Sequence, residues 1–174
     1  GSGNTFLADV RARVETIRSN TGMKPNKLLI DFGTYNSLKE ESTVLDKIKY
    51  TERGVLTKEL LAAILELDEV LIGEAIKSTA KETKSGTDFT AANIWEKNAG
   101  KGSAFLFHSP SAMGLKTPSA GCQARVAYEN GAVRRTTTWR EAAEHQDVYE
   151  VAEETDIVIT GADLGFLWYD TLLT

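Results

Sequence analysis

The chain has 174 residues, a formal net charge of −5, and a composition of 41% hydrophobic and 26% charged residues. These values are ordinary for a globular domain, so they exclude a disordered, collagen-like or coiled-coil chain. The single cysteine, Cys122, excludes an internal disulfide framework and a zinc site built from several thiolates, and no apolar run approaches the ~20 residues of a membrane-spanning helix.

Residues 6–73 predict helices placed around buried strands. From Phe6 to Ile17 the apolar positions recur at three- and four-residue spacing, which is typical of an amphipathic helix over residues 6–21. Gly22 ends that helix, and Pro25 favours an extended entry into a buried strand over residues 27–32. The following elements are predicted in order: a short helix over 33–38, a helix opened by a capping box of Thr43 and Asp46, a helix over 58–67 with Thr57 as its N-cap, and a strand over 70–73.

The second half of the chain predicts mostly strands. Residues 77–92 are rich in Lys, Ser and Thr and are interpreted as a mobile polar loop. Helices first and mostly antiparallel strands later indicate the α+β class. The predicted elements are strands over 93–95 and 104–107 with a turn at 100–102 between them, a long acidic strand over 148–160, and an apolar closing segment over 164–173.

Asn130-Gly131 is the clearest local signal, because both positions tolerate the positive φ of a type I′ hairpin turn. Pairing across that turn gives a ribbon with one mostly apolar face and one solvated face. On the apolar face a free cysteine is expected to behave as a small hydrophobe rather than as a reactive thiol. The predicted cross-strand pairs are Tyr128 with Val133, Val126 with Arg135, Ala124 with Thr137, and Cys122 with Trp139.

Candidate catalytic residues are few. His108 and His145 are the two histidines, and His108 closes an apolar strand ahead of Ser109, so it is interpreted as a partly buried strand-end residue. A catalytic triad needs a placed nucleophile, base and orienting acid, and the sequence has no Gly-x-Ser-x-Gly elbow. Residues 100–103 resemble half a phosphate-binding loop, but Trp95 stands where the first glycine of that pattern belongs. The sequence therefore predicts no catalytic residue, metal ligand or cofactor site.

Charge is unevenly divided along the chain. Nine of the 25 acidic residues and none of the 20 basic residues lie within 141–174, so this segment carries −9 and residues 1–140 carry +4. Carboxylates in the acidic run 150–156 are ligands that Ca²⁺ or Mg²⁺ accepts, but alternation along a strand points them to two faces, which favours a solvated or partner-facing strand. A basic cluster is formed by Arg125, Arg134, Arg135 and Arg140. We expect these arginines to pair with carboxylates, within or between subunits, rather than to bind phosphates.

Several ordered motifs resemble the major capsid proteins of tailed phages. The resemblance covers residues 9–108 and continues by pattern alone to the end of the chain. It rests on residues 9–18 and on these motifs: Thr21-Gly22-x-x-Pro25-Asn26-x-Leu28, Leu45-Asp46-Lys47-Ile48-Lys49-Tyr50-Thr51, Gly54-Val55-Leu56-Thr57-x-Glu59-Leu60-Leu61-Ala62, Val70-Leu71-Ile72-Gly73-x-Ala75, Thr79-Ala80-Lys81-Glu82 and Asn93-Ile94-Trp95.

The resemblance implies the Hong Kong 97-like capsid fold, in which a peripheral domain with a long spine helix adjoins an axial domain near the capsomer centre. Residues 1–3, Gly1-Ser2-Gly3, are interpreted from their composition as an expression scar or linker. On the basis of the resemblance, residues 4–27 are the end of the spine helix. Residues 28–140 form the axial domain, and residues 141–174 form the return strand and closing segment of the peripheral domain. The family's N-terminal arm and extended loop have no counterpart in the sequence, so the chain is interpreted as the C-terminal portion of such a protein.

The function that the resemblance implies is structural, namely self-assembly into pentamers and hexamers that form a virus capsid shell around the genome. The implied partners are other copies of the chain and packaged DNA bound without sequence specificity, with no membrane and no cofactor. The implied location is the virion, and the host cytoplasm during assembly. An encapsulin-like nanocompartment shell subunit is one alternative. A small cytoplasmic α+β enzyme or ligand-binding domain using His108, Ser109 and nearby carboxylates is another, since fold alone does not decide function.

The charge division predicts where copies meet. In a closed ring each subunit presents one flank to the opposite flank of the next, so opposite charges on separate surfaces favour head-to-tail contact. Surface pairs contribute only ~0–1 kcal/mol each and are screened by salt. The isolated chain is therefore expected to be a monomer or small ring whose association fades as ionic strength rises. The candidate subunit-interface residues are the positive Lys47, Lys49, Arg125, Arg134 and Arg140 and the negative Glu150, Glu153, Glu154 and Asp156.

Overall fold

The computed structural model describes residues 6–49, 55–81, 89–95, 101–114, 116–128 and 131–171. Its helices are α1 (Phe6–Thr21), α2 (Phe32–Glu40), α3 (Ser42–Ile48) and α4 (Lys58–Leu65). Its strands are β1 (Lys27–Asp31), β2 (Glu69–Gly73), β3 (Ile76–Ser78), β4 (Ala91–Asn93), β5 (Ala104–Phe107), β6 (Gly121–Arg125), β7 (Arg135–Glu141), β8 (Gln146–Ala152), β9 (Thr155–Ile159) and β10 (Gly165–Trp168), the last of which follows the short 3-10 helix Ala162–Leu164. This mixture confirms the predicted α+β class.

A four-stranded sheet in the order β10-β5-β1-β2 forms the centre of the fold. β1 and β2 are parallel, whereas β5 is antiparallel to both of its neighbours, β1 and β10. Parallel neighbours need a long crossover connection, which α2, α3 and α4 supply. Leu28 lies opposite both Val70 and Leu106, and directly opposed residues share a face of the sheet.

Helices cover that face of the sheet. The buried side chains of α1 are Leu7, Val10 and Ile17, and they join Leu28 and Leu61 in one hydrophobic cluster. Full burial of a Leu side chain stabilises a fold by roughly 1.5–3 kcal/mol, so the cluster is the main source of cohesion between helices and sheet. The division of the chain into peripheral and axial parts stays a prediction.

Of the N-terminal caps predicted for α3 and α4, one is confirmed and one is wrong. Thr57 is the N-cap of α4 as predicted, and its hydroxyl accepts a hydrogen bond from the Leu60 N–H at 3.3 Å. The capping box predicted from Thr43 and Asp46 is wrong, because α3 begins at Ser42 with Glu41 as its N-cap. Only Glu41 separates α2 from α3, and the Thr43 hydroxyl donates to the Glu41 carboxylate at 2.6 Å.

The polar segment predicted as a mobile loop contains a strand pair at its base. β3 and β4 pair in antiparallel orientation. Next to this pair, the N–H of Thr79 donates a hydrogen bond to the carbonyl of Thr90 at 2.9 Å. Residues 82–88 lie outside the described residues. The strand predicted over 93–95 is placed earlier, at Ala91–Asn93.

The predicted hairpin register around Asn130-Gly131 is wrong. Gly131 has a φ of 72° and its N–H donates to the Tyr128 carbonyl at 2.9 Å, so a tight turn exists, although Asn130 itself lies outside the described residues. Beyond that turn β6 pairs with β9 and β7 pairs with β8, so that Cys122 lies opposite Val158 and not opposite Trp139. All seven residues of β7 pair with residues of β8. The connection between β7 and β8 is shorter than the one between β6 and β7, and a shorter connection costs less conformational entropy to close.

The strands β6 to β9 therefore form one nested ribbon, with β6–β9 as its inner pair and β7–β8 as its outer pair. The long acidic strand predicted over 148–160 is two strands, interrupted at Glu153 and Glu154. The closing segment contributes β10 to the central sheet, where Phe166 lies opposite Leu106. Within the described ranges no helix has the length and apolar character needed to cross a bilayer.

Candidate assembly surface

The charged residues predicted for a subunit interface lie on two parts of the fold. Lys47 is in the last turn of α3, Lys49 follows that helix directly, and both side chains are exposed. The other seven lie on the nested ribbon or next to its strands. The surface therefore has a small cationic part on α3 and a larger part of mixed charge on the ribbon.

On the ribbon, the predicted cations already pair with carboxylates of the same chain. Arg134 Nη2 lies 3.0 Å from Glu153 Oε2, and Arg125 Nε lies 3.9 Å from Glu153 Oε1. Arg140 Nη1 lies 2.9 Å from Asp147 Oδ1. Exposed pairs of this kind contribute ~0–1 kcal/mol each. Their role is to hold the ribbon in its own geometry, and they compensate three of the cations predicted to face a neighbour.

The remaining candidates have no ion-pair partner among the described residues; they are Lys47, Lys49, Glu150, Glu154 and Asp156. Asp156 does accept a hydrogen bond from the N–H of Ile157 at 2.8 Å. A charge-based contact between copies would therefore join α3 of one copy to the ribbon of another. That assignment stays a prediction, and light scattering at low and high salt tests it.

The two candidates for chemistry, His108 and Ser109, are held by contacts that join loops. His108 is half-buried just after β5, with Nδ1 2.9 Å from the Lys24 carbonyl oxygen, and its N–H donates to the Leu164 carbonyl at 3.0 Å. The N–H of Ser109 donates to the side chain of Asn26 at 2.9 Å. No cluster of three or more His, Cys, Asp or Glu suited to a metal ion is found among the residues that the structure describes.

Tyr35 is a buried titratable group with an altered pKa. Burial raises the pKa of its hydroxyl above the ordinary value, and the negative charges of Glu59 and Glu74 raise it further. The hydroxyl donates to the Leu56 carbonyl at 3.1 Å, and Lys39 Nζ lies 4.3 Å from the ring centroid. Tyr35 thus joins α2 to the segment that precedes α4.

Sequence reasoning missed an apolar groove. A groove of about 740 Å³ is lined by residues of β5 and β10 on one side and of the inner pair β6–β9 on the other. Of the residues that the structure describes, thirteen line the groove and none of them is charged. The walls include Phe105, Phe107 and Leu167 from the central sheet, and Cys122, Ile157 and Ile159 from the inner pair.

The groove lies against the second face of the central sheet, which is also apolar. Phe105 lies opposite both Leu29 and Leu167, so these three residues share the face away from Leu106. The Phe105 and Phe107 rings stack with their centroids 4.9 Å apart. Continuous apolar character at residues 104–107 was the available signal, since a strand that is apolar on both faces predicts contacts on both sides.

Comparisons with known proteins agree with the motif resemblance. No protein-family model matches the chain. The chain is 38% identical over 80 residues to the major capsid protein of Burkholderia phage BcepMu, a match that covers 46% of this chain and 25% of that protein. A solved structure of a phage-related protein from Bordetella bronchiseptica RB50 superposes with a TM-score of 0.75 at 20% identity, over 95% of this chain and 50% of the other.

The chain thus spans a quarter of the length of the curated relative and half of the solved structure. The identity to the solved structure is low, so that likeness shows a shared fold alone. In sequence the chain is similar to a phage major capsid protein and in fold to a phage-related protein, which confirms the resemblance predicted from its motifs.

Proposed function

We propose that this chain is a structural, non-enzymatic part of a phage capsid shell. The observation that carries the proposal is the 38% identity over 80 residues to the major capsid protein of Burkholderia phage BcepMu. The TM-score of 0.75 against a phage-related protein adds support over 95% of the chain. In this function the chain acts through geometry, because repeated contacts between identical subunits close a shell.

The finer proposal is a Hong Kong 97-like subunit that assembles into pentamers and hexamers around a genome. In that arrangement α1 is the end of the spine helix, residues 28–140 are the axial domain, and residues 141–174 return to the peripheral domain. Its partners are other copies of itself and packaged DNA that it contacts without sequence specificity. Its location is the virion, after assembly in the host cytoplasm.

The contacts of His108 and Ser109 support a structural role over an enzymatic one. His108 Nδ1 lies 2.9 Å from the carbonyl oxygen of Lys24, and the backbone of Ser109 is bonded to the Asn26 side chain. A general base must reach the proton that it removes, whereas these groups are engaged in joining β5 to the segment before β1. His108→Ala is therefore expected to affect stability and not to abolish any turnover.

Sedimentation of the full-length protein tests the proposal. We expect closed particles that sediment far ahead of the free subunit and that electron microscopy shows as shells, and we expect the less stable variant His108→Ala to form such particles still. Nucleic acid inside particles isolated from infected cells supports the capsid, whereas protein cargo without a genome supports the encapsulin-like alternative. A full-length protein that stays monomeric under all assembly conditions and turns over a substrate contradicts the proposal.

A further inference from the structure

We propose that the outer pair β7–β8 of one copy docks in the apolar groove of a second copy, with Tyr149 and Val151 entering the groove. This inference rests on the proposed shell function and deepens it by naming both surfaces of one contact between copies. It differs from the charge-based contact expected from the sequence, because apolar burial supplies the attraction.

Several apolar side chains that line the groove are exposed to solvent in the isolated chain. Ile157 and Ile159 on β9 are 84% and 76% exposed, and Leu167 on β10 is 38% exposed. These side chains are contiguous with the half-buried Phe105 and Phe107. Exposed apolar patches of this kind mark interaction sites in soluble proteins, and a groove without charged walls favours an apolar and uncharged occupant.

The outer pair presents matching apolar surface. Every residue of β7 is exposed, and a two-stranded ribbon is at best marginally stable in water unless something packs against it. Tyr149 and Val151 on β8 are 71% and 61% exposed. They are two positions apart on one strand and therefore point to the same face.

Charge distinguishes the two faces of the outer pair. Tyr149 lies opposite Thr138 and Val151 lies opposite Thr136, so the centre of this face is uncharged. At its end Arg140 and Asp147 neutralise each other at 2.9 Å. The opposite face carries the charged residues Arg135, Glu141 and Glu150. Burial of unpaired charge is costly, so the face with Tyr149 and Val151 is the one suited to the groove.

The occupant is a second copy because no residue of the outer pair lines the groove of its own chain. β8 continues into β9, a wall of that groove, through only Glu153 and Glu154. Glu153 is paired with Arg134 at 3.0 Å and with Arg125 at 3.9 Å, and both ion pairs favour the present geometry of this junction. From the junction the outer pair extends for seven residues, or roughly 23 Å at ~3.3 Å per residue. Folding the outer pair back onto the groove of the same chain would break the ion pairs that Glu153 makes at this junction.

The contact is heterologous, since the ribbon of one copy meets a different surface of the next. A ribbon face about 23 Å long and about 10 Å wide is well below the ~800 Å² per partner of a standard interface. One such contact is therefore weak alone and effective when it is repeated around a closed ring. The isolated chain can thus remain a monomer or small ring while a complete shell uses the same contact.

Crosslinking in assembled particles tests the inference, with Cys122 in the groove wall as the native reporter. Full-length Tyr149→Cys protein is prepared with natural and with ¹⁵N-enriched nitrogen, mixed, assembled and treated with a short bis-maleimide. We expect mass spectrometry to find the introduced cysteine linked to Cys122 in peptide pairs of mixed isotope content. The matched control, Asn20→Cys on the exposed side of α1, is expected to give no link to Cys122.

A second pair of variants tests the apolar nature of the contact. Ile157→Glu alters a side chain that is 84% exposed, so the fold is expected to be intact by circular dichroism. Its particle yield should fall by about tenfold or more at both low and high salt, since docking would bury an unpaired carboxylate. Val55→Glu changes a residue that is 67% exposed away from the groove, and it should assemble as the wild type does.

The outcomes separate the contact from the function on which it rests. Particles that form without the mixed-isotope link, or with links between like isotopes alone, overturn this contact while the shell function stands. Particles of Ile157→Glu at wild-type yield overturn it as well. An apolar small molecule found in the groove by native mass spectrometry would name another occupant and overturn it too. Failure of the wild-type protein to form particles rejects the shell function itself, and the contact falls with it.

Discussion

The side-chain amide of Asn26 is bonded to the backbone of Ser109 in both directions. Asn26 Nδ2 donates to the Ser109 carbonyl at 2.9 Å, and Asn26 Oδ1 accepts from the Ser109 N–H at 2.9 Å. Nδ2 also donates to Asp68 Oδ2 at 3.0 Å. A single asparagine thus joins the segments before β1, before β2 and after β5, which gives a physical reason for asparagine beside Pro25 in the capsid-like motif.

Replacement of this asparagine should measurably weaken the fold. Asn26→Ala removes three hydrogen bonds, two of them partly buried, and at ~1 kcal/mol net for each bond or less the loss is about 2 kcal/mol. Urea unfolding monitored by circular dichroism measures it. Asn20→Ala, on the exposed surface of α1, is the matched control and should change stability by less than about 0.5 kcal/mol. Equal effects of the two substitutions would contradict the role of Asn26.

Gly102 and Gly131 separate backbone strain from crowding. Both have a φ of 72°, but a Cβ on Gly102 would collide with the hydroxyls of Thr34 and Thr171, whereas one on Gly131 meets nothing within 4 Å. Alanine at either site costs about 1–2 kcal/mol for the left-handed backbone, and Gly102→Ala adds about 1–3 kcal/mol for overpacking. Thermal unfolding of the two variants should place Gly102→Ala clearly lower. Equal unfolding temperatures would show that the hydroxyls of Thr34 and Thr171 do not crowd a side chain at residue 102.

The raised pKa of Tyr35 predicts that the folded protein loses stability at alkaline pH. The unfolded chain releases the tyrosine proton near its ordinary pKa of about 10, whereas burial and the nearby carboxylates raise the pKa of Tyr35 in the folded protein. Above about pH 10 the unfolded state therefore binds fewer protons, so this stability is fully present below pH 10 and declines as pH rises toward the folded pKa.

Tyr35→Phe removes that dependence. The variant loses the hydrogen bond to the Leu56 carbonyl and should be about 1 kcal/mol less stable than the wild type near neutral pH. The difference between the two proteins should narrow above about pH 10. Urea unfolding of both proteins across that range measures it, and a difference that stays constant with pH would contradict the assignment.

The register of the nested ribbon predicts which introduced cysteine can reach Cys122. Val158 is its direct partner on β9, while Trp139 lies opposite Val148. Directly opposed antiparallel residues have Cα atoms ~4.5–5.5 Å apart, a separation that a disulfide spans. Under mild oxidation Val158→Cys should give an internal disulfide and Trp139→Cys should not, as resolved by mass spectrometry of the monomer. The reverse result would restore the register predicted from the Asn130-Gly131 turn.

Local signals predicted α1, α4 and the first strands well. The spacing of Leu7, Val10 and Ile17 is enough to define α1, because one helix buries one stripe. Thr57 was predictable as the start of α4 because an N-cap interaction is also local: the cap side chain accepts a hydrogen bond from the backbone N–H three residues later.

Strand partners were not predictable, because pairing depends on distant residues. The sequence of β7 does not by itself name its partner. In the structure β7 matches β8 over seven residues, and the Arg140–Asp147 ion pair is part of that match. The groove was missed for a related reason. Ile157 and Ile159 stand in an acidic segment, and their proximity to Phe105 and Phe107 appears only when the inner pair is placed beside the central sheet. The charge pattern of the sequence predicted Arg134 and Glu153 as residues of a subunit interface. In the structure these two residues form an ion pair with each other within one chain.

Electron cryomicroscopy of particles formed by the full-length protein tests the central claim most directly. A capsid-shell subunit predicts a closed shell in which every subunit contains the sheet β10-β5-β1-β2 with α1 and α4 on one face. Fivefold and sixfold rings of this subunit should repeat across the shell. A virion whose shell density fits another protein, with this chain absent from the shell, would contradict the account.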